Sequence, residues 1–251
     1  MSGLRFSNFH AAPTCAPTRA MLLSGMSSHG AGIGDMYFKR AFDDGRAVPD
    51  GVADRAGNPS YAGYLRDAVA TLPEVLRDSG YRTYMVGKWD LGRALVEEHI
   101  PFNRGFDRAF SLLTGTAIYL GEPDGSGRGG INRADYFAYR RDDQVVRELP
   151  SDYYATRNYA DEMIDFLSEH AEHDQPFFAY VAPTAPHWPL QLPDPNDTGY
   201  AGVYDDGYEA LAARRLESAW QQGVISDALH ENPAPWATDI AAWDSLSPDE
   251  Q

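Results

Sequence analysis

Residues 71–89 read Thr71-Leu72-Pro73-Glu74-Val75-Leu76-Arg77-Asp78-Ser79-Gly80-Tyr81-Arg82-Thr83-Tyr84-Met85-Val86-Gly87-Lys88-Trp89. A proline in the first turn of a helix forfeits no hydrogen bond, Leu72, Val75 and Leu76 fall at helical spacing, and Gly80 suits a stop, so Thr71–Asp78 is predicted to be helical. Tyr81–Val86, rich in β-branched and aromatic residues, then reads as a buried strand. A helix leading at once into such a strand is the rhythm of an α/β domain with a mostly parallel sheet. The unit recurs downstream. Tyr159, Met163, Phe166 and Leu167 line one side of a helix predicted from Ala155 to Ala171, and the strand Phe177–Val181 follows. No internal sequence repeat accompanies it.

Upstream, Cys15-Ala16-Pro17-Thr18-Arg19-Ala20-Met21-Leu22-Leu23-Ser24-Gly25 contains the only cysteine of the chain. A thiol at a helix start lies in the positive field of unpaired backbone N–H groups, Pro17 suits the first turn and Gly25 suits a stop. Arg19 falls one turn after Cys15, so its guanidinium reaches toward the same anion from the same face. Residues 1–35 as a whole read as strand, turn, helix and glycine-rich loop. Tyr37–Gly63 reads as a long surface excursion, and Gly121–Gly130, with Asp124 and Arg128, as a loop tip. The latter lacks the strand-to-helix setting and Gly-Lys-Ser/Thr ending of a phosphate-binding loop. A further helix is predicted over Tyr208–Gln222, with Leu211, Arg214, Arg215 and Leu216, and Ser247, Pro248 and Glu250 resemble the start of another.

The 251 residues carry 21 Lys+Arg against 37 Asp+Glu, a net charge of −16. Nucleic acid and anionic membrane surfaces should repel such a chain, and neither is expected as a partner. An anionic substrate would meet the same field, so its binding must come from a few convergent donors at short range. One cysteine allows no intrachain disulfide, and the seven histidines show no zinc-ligand spacing. There is no apolar signal core after Met1 and no apolar run of about 18 residues. The chain reads as soluble, cytoplasmic or periplasmic, with the compartment left open.

The Cys15-x-Pro17-x-Arg19 pattern resembles the signature of the type I sulfatases, arylsulfatase-like members of the alkaline-phosphatase superfamily. Further segments resemble that family in the same order. Leu4–His10 is similar to the strand before its cysteine, His29-Gly30-Ala31-Gly32-Ile33-Gly34 to the loop after its helix, and Thr71–Trp89 to its helix, strand and Gly-Lys-Trp turn. Pro101-Phe102-Asn103-Arg104-Gly105-Phe106-Asp107 and Pro176–Pro183 with Thr184-Ala185-Pro186-His187-Trp188-Pro189 continue the match, the last two as its later buried strand and histidine turn. The resemblance implies an alkaline-phosphatase-like α/β sandwich in which residues 1–251 form part of a catalytic domain. The strand with the family's Asp-Asp pair and the later part with its Asp-Asn pair would both be missing.

It further implies hydrolysis of a sulfate monoester to an alcohol or phenol plus sulfate. In that scheme a separate maturation enzyme oxidises Cys15 to formylglycine, whose hydrate attacks sulfur, and Cys15 is then also a metal ligand. Arg19 would orient the hydrate, Lys88 would clamp a sulfate oxygen, and His187 would hydrogen-bond the sulfate or protonate the leaving group. Calcium is the implied cofactor, with most of its ligands outside this chain, so the isolated chain is expected to be poorly active.

Asp90 is the main departure, because the family usually has histidine there and this chain reads Gly87-Lys88-Trp89-Asp90-Leu91-Gly92. An aspartate could accept the hydrate proton, but it adds a negative charge beside an anionic substrate. At about 4 Å and an effective dielectric near 20 that repulsion is about 4 kcal/mol before screening. Pairing with Lys88 would neutralise Asp90 and disarm the clamp. Two alternatives stay open: a phosphoester or phosphonate hydrolase of the same superfamily, and a decayed paralogue without turnover.

Overall fold

The structure, a computed structural model, describes residues 4, 6–36, 57–92, 96–115, 119–120, 139–188, 190–193, 199–233 and 240–247. Most of the predicted excursion 37–63, the glycine-rich stretch 121–130, Arg5, Pro189, Pro248 and Glu250 lie outside the described residues. The chain divides into two compact units, Ala11–Pro193 and Met1–His10 with Asp194–Gln251.

In the larger unit the elements run α1 (Cys15–Ser24), α2 (Ser28–Ala31), α3 (Leu72–Asp78), β1 (Arg82–Lys88), β2 (Arg108–Leu112), β3 (Tyr139–Arg141), β4 (Gln144–Val145), α4 (Ala155–Ser168) and β5 (Phe177–Ala182). The smaller unit contains α5 (Gly207–Gln221) and α6 (Asp227–Glu231). The sheet order is β4-β3-β2-β1-β5, with β1 parallel to both β2 and β5 and antiparallel pairing from β2 to β4. Alternation along β1 divides the core. Met85 joins Ala16, Ala20, Leu23, Ala109 and Phe106 on the face covered by α1, whereas Tyr84 and Val86 join Phe110, Tyr159, Met163 and Phe166 beneath α4. This is the mixed α/β fold that the sequence predicts. Among the described residues no helix is long and apolar enough to cross a membrane.

Several elements depart from expectation. Leu4 and Phe6–His10 form no strand, and Leu4, Phe6 and Phe9 are all well exposed, because no neighbouring strand pairs with them among the described residues. The helix α3 has the predicted span, but Leu72 and Val75 face solvent and Pro73 is the buried contact. Its position is set by its start, where Thr71 and Glu74 form a reciprocal capping box. The helix α4 stops at Ser168, three residues early, where the chain turns back through His170–Gln175 to enter β5. The strand β5 lies at the sheet edge among the described strands, so Phe177 and Val181 are exposed rather than buried.

Arg104 explains the Pro101–Asp107 motif. Its buried guanidinium donates to Leu65 O at 2.6 Å and Val69 O at 2.8 Å and pairs with Glu74 Oε1 at 3.1 Å. Gly105, at φ 94°, lies so close to the backbone of Glu74 that a Cβ would collide with it. Arg104→Met leaves these acceptors buried without a donor and is expected to destabilise the protein by about 3–5 kcal/mol in urea unfolding.

Beneath α4 the hydroxyls of Tyr139 and Tyr159 are 3.1 Å apart, and burial raises the hydroxyl pKa of Tyr139, Tyr153 and Tyr159. The folded state therefore holds these protons more tightly than the unfolded chain. Their contribution is complete below about pH 10, the unfolded tyrosine value, and is lost as pH rises above it. The urea midpoint should fall above about pH 10, and more gently in Tyr139→Phe.

Candidate active site

The helix α1 begins at Cys15 and ends at Gly25, whose left-handed φ of 67° returns its N–H to Met21 O at 2.9 Å. Ala16 and Ala20 are fully buried, and their small size lets the helix lie close against the sheet. Cys15, half-buried in the first turn, donates its thiol to Asp90 Oδ2 at 3.2 Å. Arg19, one turn on, extends over the same segment. Its Nε donates to Trp89 O at 3.1 Å, a terminal nitrogen donates to Lys88 O, and the guanidinium carbon lies 5.5 Å from the centre of the Tyr180 ring.

That segment is the carboxyl end of β1, where open α/β sheets place ligand-binding groups. Gly87 has φ 95°, and a Cβ there would collide with the carbonyl of Ala182 on β5, so only glycine allows this close pairing. Trp89 leaves the strand fully buried, its amide donating to Leu112 O at 2.8 Å and its indole N–H to His99 O at 2.8 Å. Asp90 follows at φ 59°, a left-handed conformation that aspartate tolerates better than most residues. Lys88 Nζ lies 3.3 Å from Asp90 Oδ2, with 5% of the lysine side chain and none of the aspartate side chain exposed. One carboxylate oxygen thus meets both the thiol and the ammonium.

Four of the five predicted residues, Cys15, Arg19, Lys88 and Asp90, converge. One detail differs from the reading of the sequence: the guanidinium of Arg19 is occupied by carbonyls of the 88–89 turn and so acts as a strap on it. The Lys88–Asp90 pairing that the sequence reading raised is formed. His187 lies beyond the carboxyl end of β5, exposed, with Nδ1–H donating to Trp188 O at 2.6 Å. Because a carbonyl only accepts, that bond places a proton on Nδ1. The His187 turn is held by its own amide, which donates to Thr184 O at 2.9 Å, and by the Tyr119 hydroxyl, which donates to the His187 carbonyl. Sequence reasoning missed Tyr180 and Tyr119. The period-two pattern of β5 places Tyr180 with Phe178 on the α1 side, whereas nothing local marks Tyr119.

The described residues do not by themselves complete a calcium site. Calcium takes six to eight oxygens, and among the described residues no group of three or more His, Cys, Asp or Glu side chains is placed to hold a metal ion. Asp90 is already engaged by Cys15 and Lys88.

The sheet order, with helices on both faces of a centre that is parallel, is that of an α/β fold of the alkaline-phosphatase-like kind. A sequence model of the sulfatase family matches residues 1–233, and the chain belongs to that family. It is 37% identical to an uncharacterised sulfatase of Schizosaccharomyces pombe, over 99% of this chain and 43% of that protein. To the arylsulfatase of Klebsiella aerogenes it is 34% identical, over 99% of this chain and 49% of the relative. It thus spans about half the length of these curated relatives. Among solved structures, the crystal structure of Ps i-CgsB aligns with 71% of this chain and 36% of its own at 25% identity, with a TM-score of 0.52.

If Arg19 straps the turn, Arg19→Ala should speed amide hydrogen exchange at residues 88–91 at least tenfold while leaving β2 protected. Its stability cost should be about 1–3 kcal/mol, read by urea unfolding.

Proposed function

We propose that this chain carries the nucleophile and sulfate-clamping residues of a sulfuric ester hydrolase that cleaves sulfate monoesters, with aryl sulfates the first substrates to try. The observation that carries the reading is the meeting of Cys15 and Lys88 on a single oxygen of Asp90, with Arg19 holding the turn that presents them. Similarity to an arylsulfatase supports the substrate class.

A maturation enzyme, drawing on an external oxidant, would oxidise Cys15 to an aldehyde; one hydroxyl of its hydrate forms a bond to sulfur as the ester S–O bond breaks, and the second hydroxyl, on losing its proton, re-forms the carbonyl as the C–O bond to the sulfate breaks and sulfate leaves. A hydroxyl standing where Sγ stands keeps its hydrogen bond to Asp90, which then serves as the proton acceptor. Lys88 holds a sulfate oxygen and offsets charge as the ester bond breaks. His187, protonated at Nε2, gives that proton to the departing alcohol. The ion pair of Asp90 and Lys88 is also what a substrate must displace, and it supports a second reading in which the chain keeps the fold but turns over little.

Mass spectrometry of the Cys15 peptide, from protein produced together with a formylglycine-generating enzyme, should show loss of one sulfur and two hydrogens and gain of one oxygen. A peptide that remains a thiol throughout would count against the enzymatic reading. In the converted protein, His187→Asn should lower kcat on an aryl sulfate by about a hundredfold to ten-thousandfold with a smaller change in KM. Asp90→His should raise turnover, and an unchanged rate would show that the Lys88–Asp90 pair does not limit it.

A further inference from the structure

At the opposite end of β1 from the Cys15 cluster lies a cavity of about 280 Å³, between the α4 face of the sheet and the turn that follows α4. Arg82 begins the strand and Lys88 ends it, so about 20 Å of strand separates the two places. Arg82, Tyr84 and Phe177 line the cavity from the sheet, because Arg82 and Tyr84 are two apart on β1 and Phe177 is the register partner of Arg82 on β5. Leu167, His170 and His173 line it from the other side, where α4 ends at Ser168 and the chain turns back.

The walls are largely rings. The ring centre of Tyr84 is 5.8 Å from that of His170 and 6.5 Å from that of Phe177, and His170 and His173 are 5.8 Å apart. A cavity of about 150 Å³ already admits benzene, so this one has room for a single ring carrying a small polar group. Two donors in the lining are uncommitted. Arg82 Nε donates to Gln175 Oε1 at 3.1 Å, but its terminal nitrogens make no hydrogen bond among the described residues. Tyr84 is 1% exposed, and its hydroxyl likewise has no hydrogen-bond partner among the described residues. Burial raises the pKa of that hydroxyl against the pull of Arg82, so at neutral pH it is a donor and carries no charge. A buried hydroxyl left unpaired costs free energy, which an acceptor inside the cavity would recover.

The charges nearby set the sign and the number of the acceptor's charges. Glu169 is paired with Arg108, and Asp107 accepts the Thr83 amide at 3.1 Å, so neither neutralises Arg82. Asp174, exposed, is the carboxylate of the lining and opposes a second negative charge on a ligand. One guanidinium matches one planar carboxylate, which it can hold through two parallel N–H bonds.

We propose that this cavity binds a small aromatic monocarboxylate, with its ring among Tyr84, His170 and Phe177 and its carboxylate accepting from Arg82 and the Tyr84 hydroxyl. No residue of the Cys15 cluster takes part.

The test is an NMR titration of the 251-residue chain with benzoate, and with benzyl alcohol as its uncharged counterpart. Benzoate should bind saturably, shift the ring protons of His170 and His173, and bind at least about tenfold tighter than benzyl alcohol. Tyr84→Phe removes one oxygen that holds no protein contact, and Arg82→Gln removes the guanidinium. Each should weaken benzoate by at least about fivefold and change benzyl alcohol by less than about twofold. Benzyl alcohol binding as tightly as benzoate would overturn the carboxylate assignment, and an unchanged benzoate affinity in either variant would overturn the pairing with that residue. Benzoate that fails to saturate, or that leaves both histidine rings unmoved, would overturn the site itself. If Tyr84→Phe does not fold, Arg82→Gln and the histidine shifts decide.

Discussion

The pairing of β1 on both edges is the constraint from which the rest of the larger unit follows. Because β2 and β5 both run parallel to it, β1 is buried along nearly its whole length, and its carboxyl end is delivered to a fixed point in the core. Gly87 makes that end possible, since a side chain there would push β5 away. The following residues are then held separately: Trp89 by the carbonyls of Leu112 and His99, and the turn itself by the guanidinium of Arg19. Lys88 and Asp90 inherit their geometry from those anchors.

The helix α1 contributes in a way that composition alone would not suggest. Its buried face includes small residues, Ala16 and Ala20, and the side toward the 88–90 turn carries Cys15 and Arg19 at a four-residue interval. That interval places the thiol against Asp90 and the guanidinium over the preceding two carbonyls, so one helical turn both presents the thiol and braces the turn it faces.

A buried ion pair such as Lys88–Asp90 is weak evidence of stability, because removing both charges from water costs several kcal/mol per ion before their attraction is counted. What it does fix is the position of the ammonium, held 3.3 Å from one carboxylate oxygen at the end of β1.

Local sequence determined much of this architecture. Helical spacing in α4, β-branched and aromatic content in β1, and the paired helix–strand units gave the α/β class, because these signals come from residues within a few positions of one another. The same locality made Cys15, Arg19 and Lys88 legible as a group of special residues. It misread Leu4–His10, which has a strand's composition but no pairing neighbour among the described residues, and the outer face of α3, where a capping box rather than an apolar stripe sets the position. Only the tertiary structure decided that Arg19 bonds to carbonyls, that one oxygen of Asp90 joins Cys15 to Lys88, and that Tyr119 holds the His187 turn. Each of these contacts joins residues about 70 positions apart, except Lys88–Asp90, whose geometry depends on the left-handed turn at Asp90. Hydrogen bonds at that separation are fixed by how the strands stack, which no local pattern encodes.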